Sequence, residues 1–350
     1  MPSSLAVRLA ERGYLPDWMI RLGIRKLAET RLASLPPRNG EDTEAYKRSF
    51  IEGMKNSPIA VLTEKANEQH YELPADFFEL ILGKQRKYSC CLYPDAHLSL
   101  DEAEEQALLE TARHALLDDG QDILELGCGW GSLSLWMARR YPNSKILGVS
   151  NSKSQRDSIM TRAEAEGLTN LEIQTADMNQ FLTEKRFDRV VSVEMFEHMR
   201  NWELLMNRID SWLKPEGRFF MHVFTQAEAP YLFEVQDKSD WMSEYFFSGG
   251  MMPSLDLPSR IDSGHELEES WVWSGDHYRK TSGHWLANMD SHKSLIMPIL
   301  LKTYGPDTKD MWWHRWRIFF MACAEVFGYN GGSDWPIGHY RFKRSAKNRG

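Results

Sequence analysis

Three ionisable side chains close one apolar run: Phe187-Asp-Arg-Val-Val-Ser-Val leads directly into Glu194-Met-Phe-Glu197-His198. The run reads as a buried strand. A strand that ends in two carboxylates and an imidazole is costly unless those groups work. Glu194 and Glu197 stand at i and i+3 and share a face if the segment turns helical, with His198 beside them. Packed carboxylates raise one another's pKa and histidine titrates near neutrality, so the cluster suits proton removal. A polar network that only anchors the loop is the competing reading.

A second constellation lies upstream, where Asp122-Ile-Leu-Glu125-Leu is followed by Gly127, Gly129 and Gly131 at alternate positions. Glycine permits positive φ and lets a ligand approach the main chain. Ser132 to Arg140 then reads as a helix. Strand, glycine turn and helix make a nucleotide-cofactor loop, yet the spacing is not the G-x-G-x-x-G that rests a phosphate on a helix start. Glu125 would repel a pyrophosphate and suit a cationic ligand carrying an ammonium and a sulfonium, which points to S-adenosylmethionine. A tight turn without a ligand is the alternative.

The elements that must position these groups alternate. Strands are expected at 122–126, 145–149, 171–174, 187–193 and 218–224, and helices at 132–140, 154–166 and 201–213. This is an α/β pattern, a parallel sheet with crossover helices. The second strand ends Gly-Val-Ser150-Asn151-Ser without the acidic residue that often grips a ribose, so Ser150, Asn151 or Gln155 would hydrogen-bond the sugar. The third ends Thr-Ala-Asp177-Met178, where Asp177 could accept from an adenine amino group or cap a helix.

Before the first strand, helices are expected at 43–54, 58–67 and 74–83, and a capping box joins Ser99 to Glu102. The first 40 residues interleave Arg8, Arg12, Arg21, Arg25, Arg31 and Arg38 with apolar residues, and an amphipathic stretch follows Pro16. It reads as a helix packed on its own domain, or as a contact with a membrane surface or importer. Pro36 and Pro37 end it. The organisation expected is a helical region over 1–115 and a core over 116–350. An aromatic-rich lid of about 226–300 is inserted in that core, with Gly249-Gly250 as a hinge. A helix at 307–328 and a final strand from Arg341 follow.

Net charge is −8 and no basic block occurs, which argues against nucleic acid. No apolar run reaches about 18 residues, and neither a spanning helix nor a signal peptide is expected. Cys90, Cys91, Cys128 and Cys323 make no C-x-x-C pair, which fits a reducing, cytoplasmic setting. No metal is expected, and a homodimer is compatible with the chain.

Six stretches carry a family resemblance: Tyr88-Ser-Cys, Leu100-Asp-Glu-Ala-Glu-Glu, Glu125-Leu-Gly-Cys-Gly-Trp-Gly, Ser150-Asn-Ser-Lys-Ser-Gln, Val193-Glu-Met-Phe-Glu-His-Met and Phe327-Gly-Tyr-Asn. From about residue 58 to the end, the chain resembles the coclaurine N-methyltransferase-like branch of the cyclopropane-fatty-acid-synthase superfamily. The resemblance implies a seven-strand Rossmann-like core and S-adenosylmethionine as methyl donor. It places Tyr88 and Ser89 beside the cofactor, and Cys90, His222, Phe224 and Tyr278 toward the substrate. The lipid-modifying branch holds a bicarbonate base near Cys90, Glu197, His222 and Tyr278, and has glycine where this chain has Glu194. An added carboxylate repels bicarbonate by roughly 4 kcal/mol at 4 Å and an effective dielectric of 20, and attracts an ammonium. The resemblance therefore implies a small, aromatic or alkaloid-like amine as substrate, with Glu197 and His198 orienting or deprotonating it and Glu194 neutralising its charge. Bicarbonate-dependent carbon methylation of a lipid is the alternative, and only there is membrane contact expected. A non-catalytic S-adenosylmethionine-binding protein is the third reading.

Overall fold

The computed structural model describes residues 5–36, 40–61, 73–234 and 241–345. Five strands follow the expected alternation: β1 (Asp122–Leu126), β2 (Lys145–Ser150), β3 (Leu171–Thr175), β4 (Phe187–Val193) and β5 (Leu213–Phe224). After a two-strand ribbon of β6 (Tyr231–Leu232) and β7 (Met251–Met252), β8 (His265–Trp273) and β9 (Ile337–Arg344) complete a seven-strand sheet. Its order is β3-β2-β1-β4-β5-β9-β8, with β1 to β5 parallel and β9 antiparallel to both β5 and β8. Ile123, Leu124 and Leu126 of β1 are fully buried, as a central parallel strand covered on both faces requires. The chain turns outward from β1 to β2 and β3, then returns to the other side of β1 with β4. The carboxyl ends of β1 and β4 therefore flank the topological switch point, where open α/β sheets hold ligands. The glycine loop follows one end and Glu194 the other.

The helices are α1 (Leu5–Glu11), α2 (Asp17–Ser34), α3 (Glu41–Lys55), α4 (Ala75–Ile81), α5 (Leu100–Ala115), α6 (Ser132–Arg140), α7 (Lys153–Ala165), α8 (Trp202–Trp212), α9 (Asp276–Ser291), α10 (Lys293–Tyr304) and α11 (Lys309–Phe327), besides short turns. The amphipathic stretch after Pro16 is α2, and with α1 it packs on α11. Its charges have partners within the chain: Arg21 donates to Glu325 at 2.7 Å, and Arg317 donates to both oxygens of Asp17 at 2.9 and 2.7 Å. Glu11 is buried and accepts from Arg315 at 2.8 Å and from Trp241 Nε1 at 2.9 Å. Among the described residues no helix is long and apolar enough to cross a membrane. Glu11→Ala leaves the Arg315 charge buried without its partner, a loss of roughly 3 kcal/mol. Hydrogen exchange should show α1 and α2 losing protection while the sheet keeps its own.

Four expectations change. Residues 58–61 are not helical: Ala60 bridges Met199, and Asn179 clamps it through both main-chain groups at 3.0 and 3.1 Å. The rest of that span, from 62, lies outside the described residues. Strand β5 begins at Leu213, not 218, because Leu213 pairs with Phe187 ahead of a register shift. The last strand begins at Ile337, not Arg341. Finally, residues 265–273, inside the span expected as a lid, are the edge strand β8 of the main sheet. Its acidic residues pair with basic ones on β5 and β9, Glu268 with Arg218 and Arg341 and Glu269 with Arg341, so no apolar alternation marks it.

Candidate active site

The glycine loop after β1 has φ of 77° at Gly127, 52° at Gly129 and 78° at Gly131. A Cβ on Gly127 would lie 2.7 Å from that of Met195, and one on Gly131 would lie 2.6 Å from Ile159. On Gly129 it would meet nothing within 4 Å. The outer glycines thus let the loop pack on its own fold, while the middle one leaves main chain open to a ligand. A small cavity of about 80 Å³ lies on one side of the loop, lined by Ser150, Asn151, Gln155, Asp177 and Met178. A large one of about 840 Å³ lies on the other and takes in Tyr88, Ser89 and Glu125. Gly127, Gly129, Gln155 and His198 border both. A ligand with a polar nucleoside end and a charged amino-acid end fits this pair of compartments.

Details refine the expected roles. Ser150 Oγ donates to Gln155 Oε1 at 2.7 Å, so these two enter the small cavity as one unit. Asp177 both lines that cavity and closes its own turn, accepting from the Asn179 main chain at 2.7 Å. Glu125 is buried, accepts from Ser134 Oγ, and burial pushes its pKa up to about 7. An ammonium placed there, as the sequence reading expects for the cofactor, would select the ionised form, so cofactor affinity should fall as pH drops below about 7. Calorimetry in buffers of different ionisation enthalpy should detect proton release on binding, and Glu125→Gln should abolish it.

The loop that presents Tyr88 and Ser89 is held from α5. Glu104, fully buried, accepts from the main-chain N–H of Gly83, Gln85 and Lys87 at 3.0, 2.7 and 3.0 Å. Ser99 and Glu102 form the expected capping box, Asp101 accepts from Lys84 N at 2.8 Å and Glu105 from Trp136 Nε1 at 2.9 Å. Each carboxylate of the Leu100-Asp-Glu-Ala-Glu-Glu stretch therefore has a local task. Lys87, the residue before Tyr88, is buried and donates to Ser89 Oγ at 2.5 Å and to the Cys90 carbonyl at 2.7 Å.

Glu194 leaves β4 with φ 49°, a left-handed turn that is strained for glutamate. Its Oε1 accepts from the Cys90 main-chain N–H at 2.8 Å and lies 3.1 Å from His222 Nε2, and its Oε2 accepts from the Tyr278 hydroxyl at 2.8 Å. Burial disfavours the charge, but His222, Lys87 and the Cys90 N–H outweigh it and hold the pKa below the ordinary value. His198 also faces the cavity, its ring 4.5 Å from that of Phe247, and burial lowers its pKa to about 4. Near neutral pH it is an uncharged acceptor.

Three residues expected toward the substrate do not themselves line the cavity. Glu197 is fully buried outside the cavity lining, because the turn at Phe196–His198 sends its side chain back to accept from Phe224 N at 2.7 Å. Burial, then Glu194, raises its pKa well above the usual range, so it is a neutral anchor of the turn. His222 is fully buried and reaches the cavity through Glu194. Cys90 takes part through its main chain, and its buried thiol points to the Cys91 carbonyl at 3.3 Å. Phe224 and Tyr278 do line the cavity. So do Met19, Ile20, Ile24 and Leu27 of α2, which roof it beside Trp130, Phe247 and Trp285. The sequence does not disclose that roof, because the amphipathic pattern of α2 reads the same on any packed helix.

The family model described as mycolic acid cyclopropane synthetase matches residues 61–331. An (S)-coclaurine N-methyltransferase of Thalictrum flavum subsp. glaucum is 32% identical over 338 residues, spanning 95% of this chain and 94% of that one. The (S)-coclaurine N-methyltransferase of Papaver somniferum is 33% identical over 343 residues, spanning 97% of each. A solved structure of coclaurine N-methyltransferase bound to N-methylheliamine and SAH superposes with a TM-score of 0.93 at 30% identity, covering 97% of this chain and 99% of that one. With the glycine cradle, the buried Glu125 and the two-compartment cavity, these matches make the protein an S-adenosylmethionine-dependent methyltransferase. The chain belongs to the mycolic acid cyclopropane synthetase family.

Proposed function

We propose that the protein methylates the nitrogen of a small, largely apolar, aromatic or alkaloid-like amine. One observation carries the reading: the Cys90 N–H, His222 Nε2 and Tyr278 hydroxyl converge on the carboxylate of Glu194. These are the residues which, by resemblance, hold bicarbonate in the lipid enzymes. Here the chain supplies its own carboxylate at that place, tethered and negative, at the wall of an aromatic cavity. A second anion would be repelled and an ammonium drawn in. The names of the similar plant enzymes agree with a benzylisoquinoline-like amine.

S-adenosylmethionine supplies a sulfonium methyl already activated for attack, so the protein need only align the partners and manage charge. Glu194 neutralises the ammonium and takes its proton. His198, uncharged, accepts a hydrogen bond that aims the nitrogen, and Glu197 fixes the turn that carries both. Leaving water for a site shared with a second cation lowers the ammonium pKa, which eases proton loss. The test is transfer of labelled methyl to benzylisoquinolines, phenethylamines and aliphatic amines, with an unsaturated phospholipid in parallel. Product on nitrogen of an aromatic amine is expected, and product confined to lipid would overturn the reading.

A further inference from the structure

Helix α2 lays one row of residues over the large cavity. Met19, Gly23 and Leu27 follow one another at intervals of four, with Ile20 and Ile24 beside them, and all five line it. Gly23 interrupts that row. It lies inside the helix Asp17–Ser34, neither caps it nor turns it, and has no positive φ. A Cβ built on it would meet nothing within 4 Å, whereas Gly127 and Gly131 are held to glycine by close neighbours. In a helix interior glycine is less favourable than any residue but proline, because of its backbone freedom. No close approach offsets that cost here. What the missing side chain leaves is a notch in the roof, between Met19, 41% exposed, and Leu27, 59% exposed.

A line of rings joins the Glu194 and His198 end of the cavity to this roof. The His198 and Phe247 ring centroids are 4.5 Å apart, those of Phe247 and Phe233 4.8 Å, and those of Phe233 and Tyr231 5.5 Å. The guanidinium of Arg31, about two turns beyond Gly23 on α2, lies 5.0 Å over the Tyr231 ring. All of these residues line the same cavity. An amine whose nitrogen is held at Glu194 and His198 therefore has an aromatic wall to follow toward α2.

We propose that Gly23 is a specificity-determining residue: the notch it leaves in α2 seats the second ring of a two-ring amine whose nitrogen is held by Glu194 and His198. This rests on the amine reading above. Three successive ring contacts separate His198 from Tyr231, so a one-ring amine ends along the wall and a second ring reaches the roof. A ring seated between Met19 and Leu27 gains apolar contact on both sides and takes its own apolar surface out of water. A side chain at position 23 would occupy that space first. A filled pocket rejects the longer ligand and leaves the shorter one room, so selection is by size. Glu194, His198 and the glycine loop keep their tasks with either amine.

Gly23→Leu fills the notch. Its kcat/KM is measured for a benzylisoquinoline and for a phenethylamine of similar basicity, and the readout is the ratio of the first to the second. That ratio should fall roughly tenfold to a hundredfold, mainly through KM, with cofactor affinity by calorimetry unchanged. Gly23→Ala should move the ratio the same way by a smaller factor, and it decides the matter if leucine loosens α2. It should also raise the melting temperature, because alanine suits a helix better; a fall would mean that the glycine serves packing and overturns the assignment. Gly53→Leu on α3 is the control. Its Cβ likewise meets nothing within 4 Å and it lies outside the cavity lining, so the ratio should hold. An unchanged ratio in both Gly23 variants, an equal loss with both amines, or the same shift in Gly53→Leu overturns the assignment. If the unaltered protein methylates only the one-ring amine, the second-ring seat falls and the amine reading stands. If it methylates neither, both fall.

Discussion

Glu194→Gln should lower kcat/KM for amine methylation by roughly 10²–10⁴-fold, with S-adenosylmethionine affinity changing far less. Glutamine keeps the size and one carbonyl acceptor, so the Cys90 N–H or the Tyr278 hydroxyl retains a partner. What disappears is the negative charge, and with it both the attraction for an ammonium and the acceptor for its proton. Glu194→Gly probes the same place differently. Glycine suits φ 49°, and the substitution leaves the Cys90, His222 and Tyr278 donors around a space the size of a small anion. Added bicarbonate should then restore part of the lost rate, while formamide-like neutral solutes should not. Steady-state kinetics with calorimetry for the cofactor separates the cases. A Glu194→Gln variant with unchanged amine turnover would remove Glu194 from the mechanism.

Gly129→Leu should abolish cofactor binding while the fold stands. Its Cβ would meet no protein atom within 4 Å, so the cost to the chain is the left-handed φ, about 1–2 kcal/mol. The rest of the side chain enters the space between the two cavities. Overpacking there by about 3 kcal/mol already weakens binding roughly a hundredfold. Gly127→Leu and Gly131→Leu should behave otherwise and lower thermal stability first, because their Cβ atoms collide with Met195 and Ile159. Thermal melts with and without the cofactor read both effects.

The parallel half of the sheet was readable because its signals are local. Strands β1 and β4 fall at the expected residues, and so does α6, since each is a short apolar run ended by glycine or charge. The Ser99 capping box was legible for the same reason. What escaped depends on distant partners. Strand β8 reads as a polar, acidic stretch until Arg218 and Arg341 are brought beside it from β5 and β9. The direction of Glu197 could not be told from i, i+3 spacing, because a tight turn, not an α-helix, follows the left-handed Glu194. His114 and His339 are 225 positions apart and carry no motif, yet their rings touch. The cavity roof had the same difficulty: α2 announces an apolar face, and only α11 and the aromatic wall show what that face covers.

The most direct test of the central claim is the bicarbonate dependence of methyl transfer by the unaltered protein. Rates are measured in carbon-dioxide-free buffer and again with added bicarbonate, on an aromatic amine and on an unsaturated phospholipid. With Glu194 filling the site formed by Cys90, His222 and Tyr278, the protein should methylate the amine at a rate indifferent to bicarbonate. Methylation of the phospholipid that rises with bicarbonate, with the amine untouched, would contradict the account.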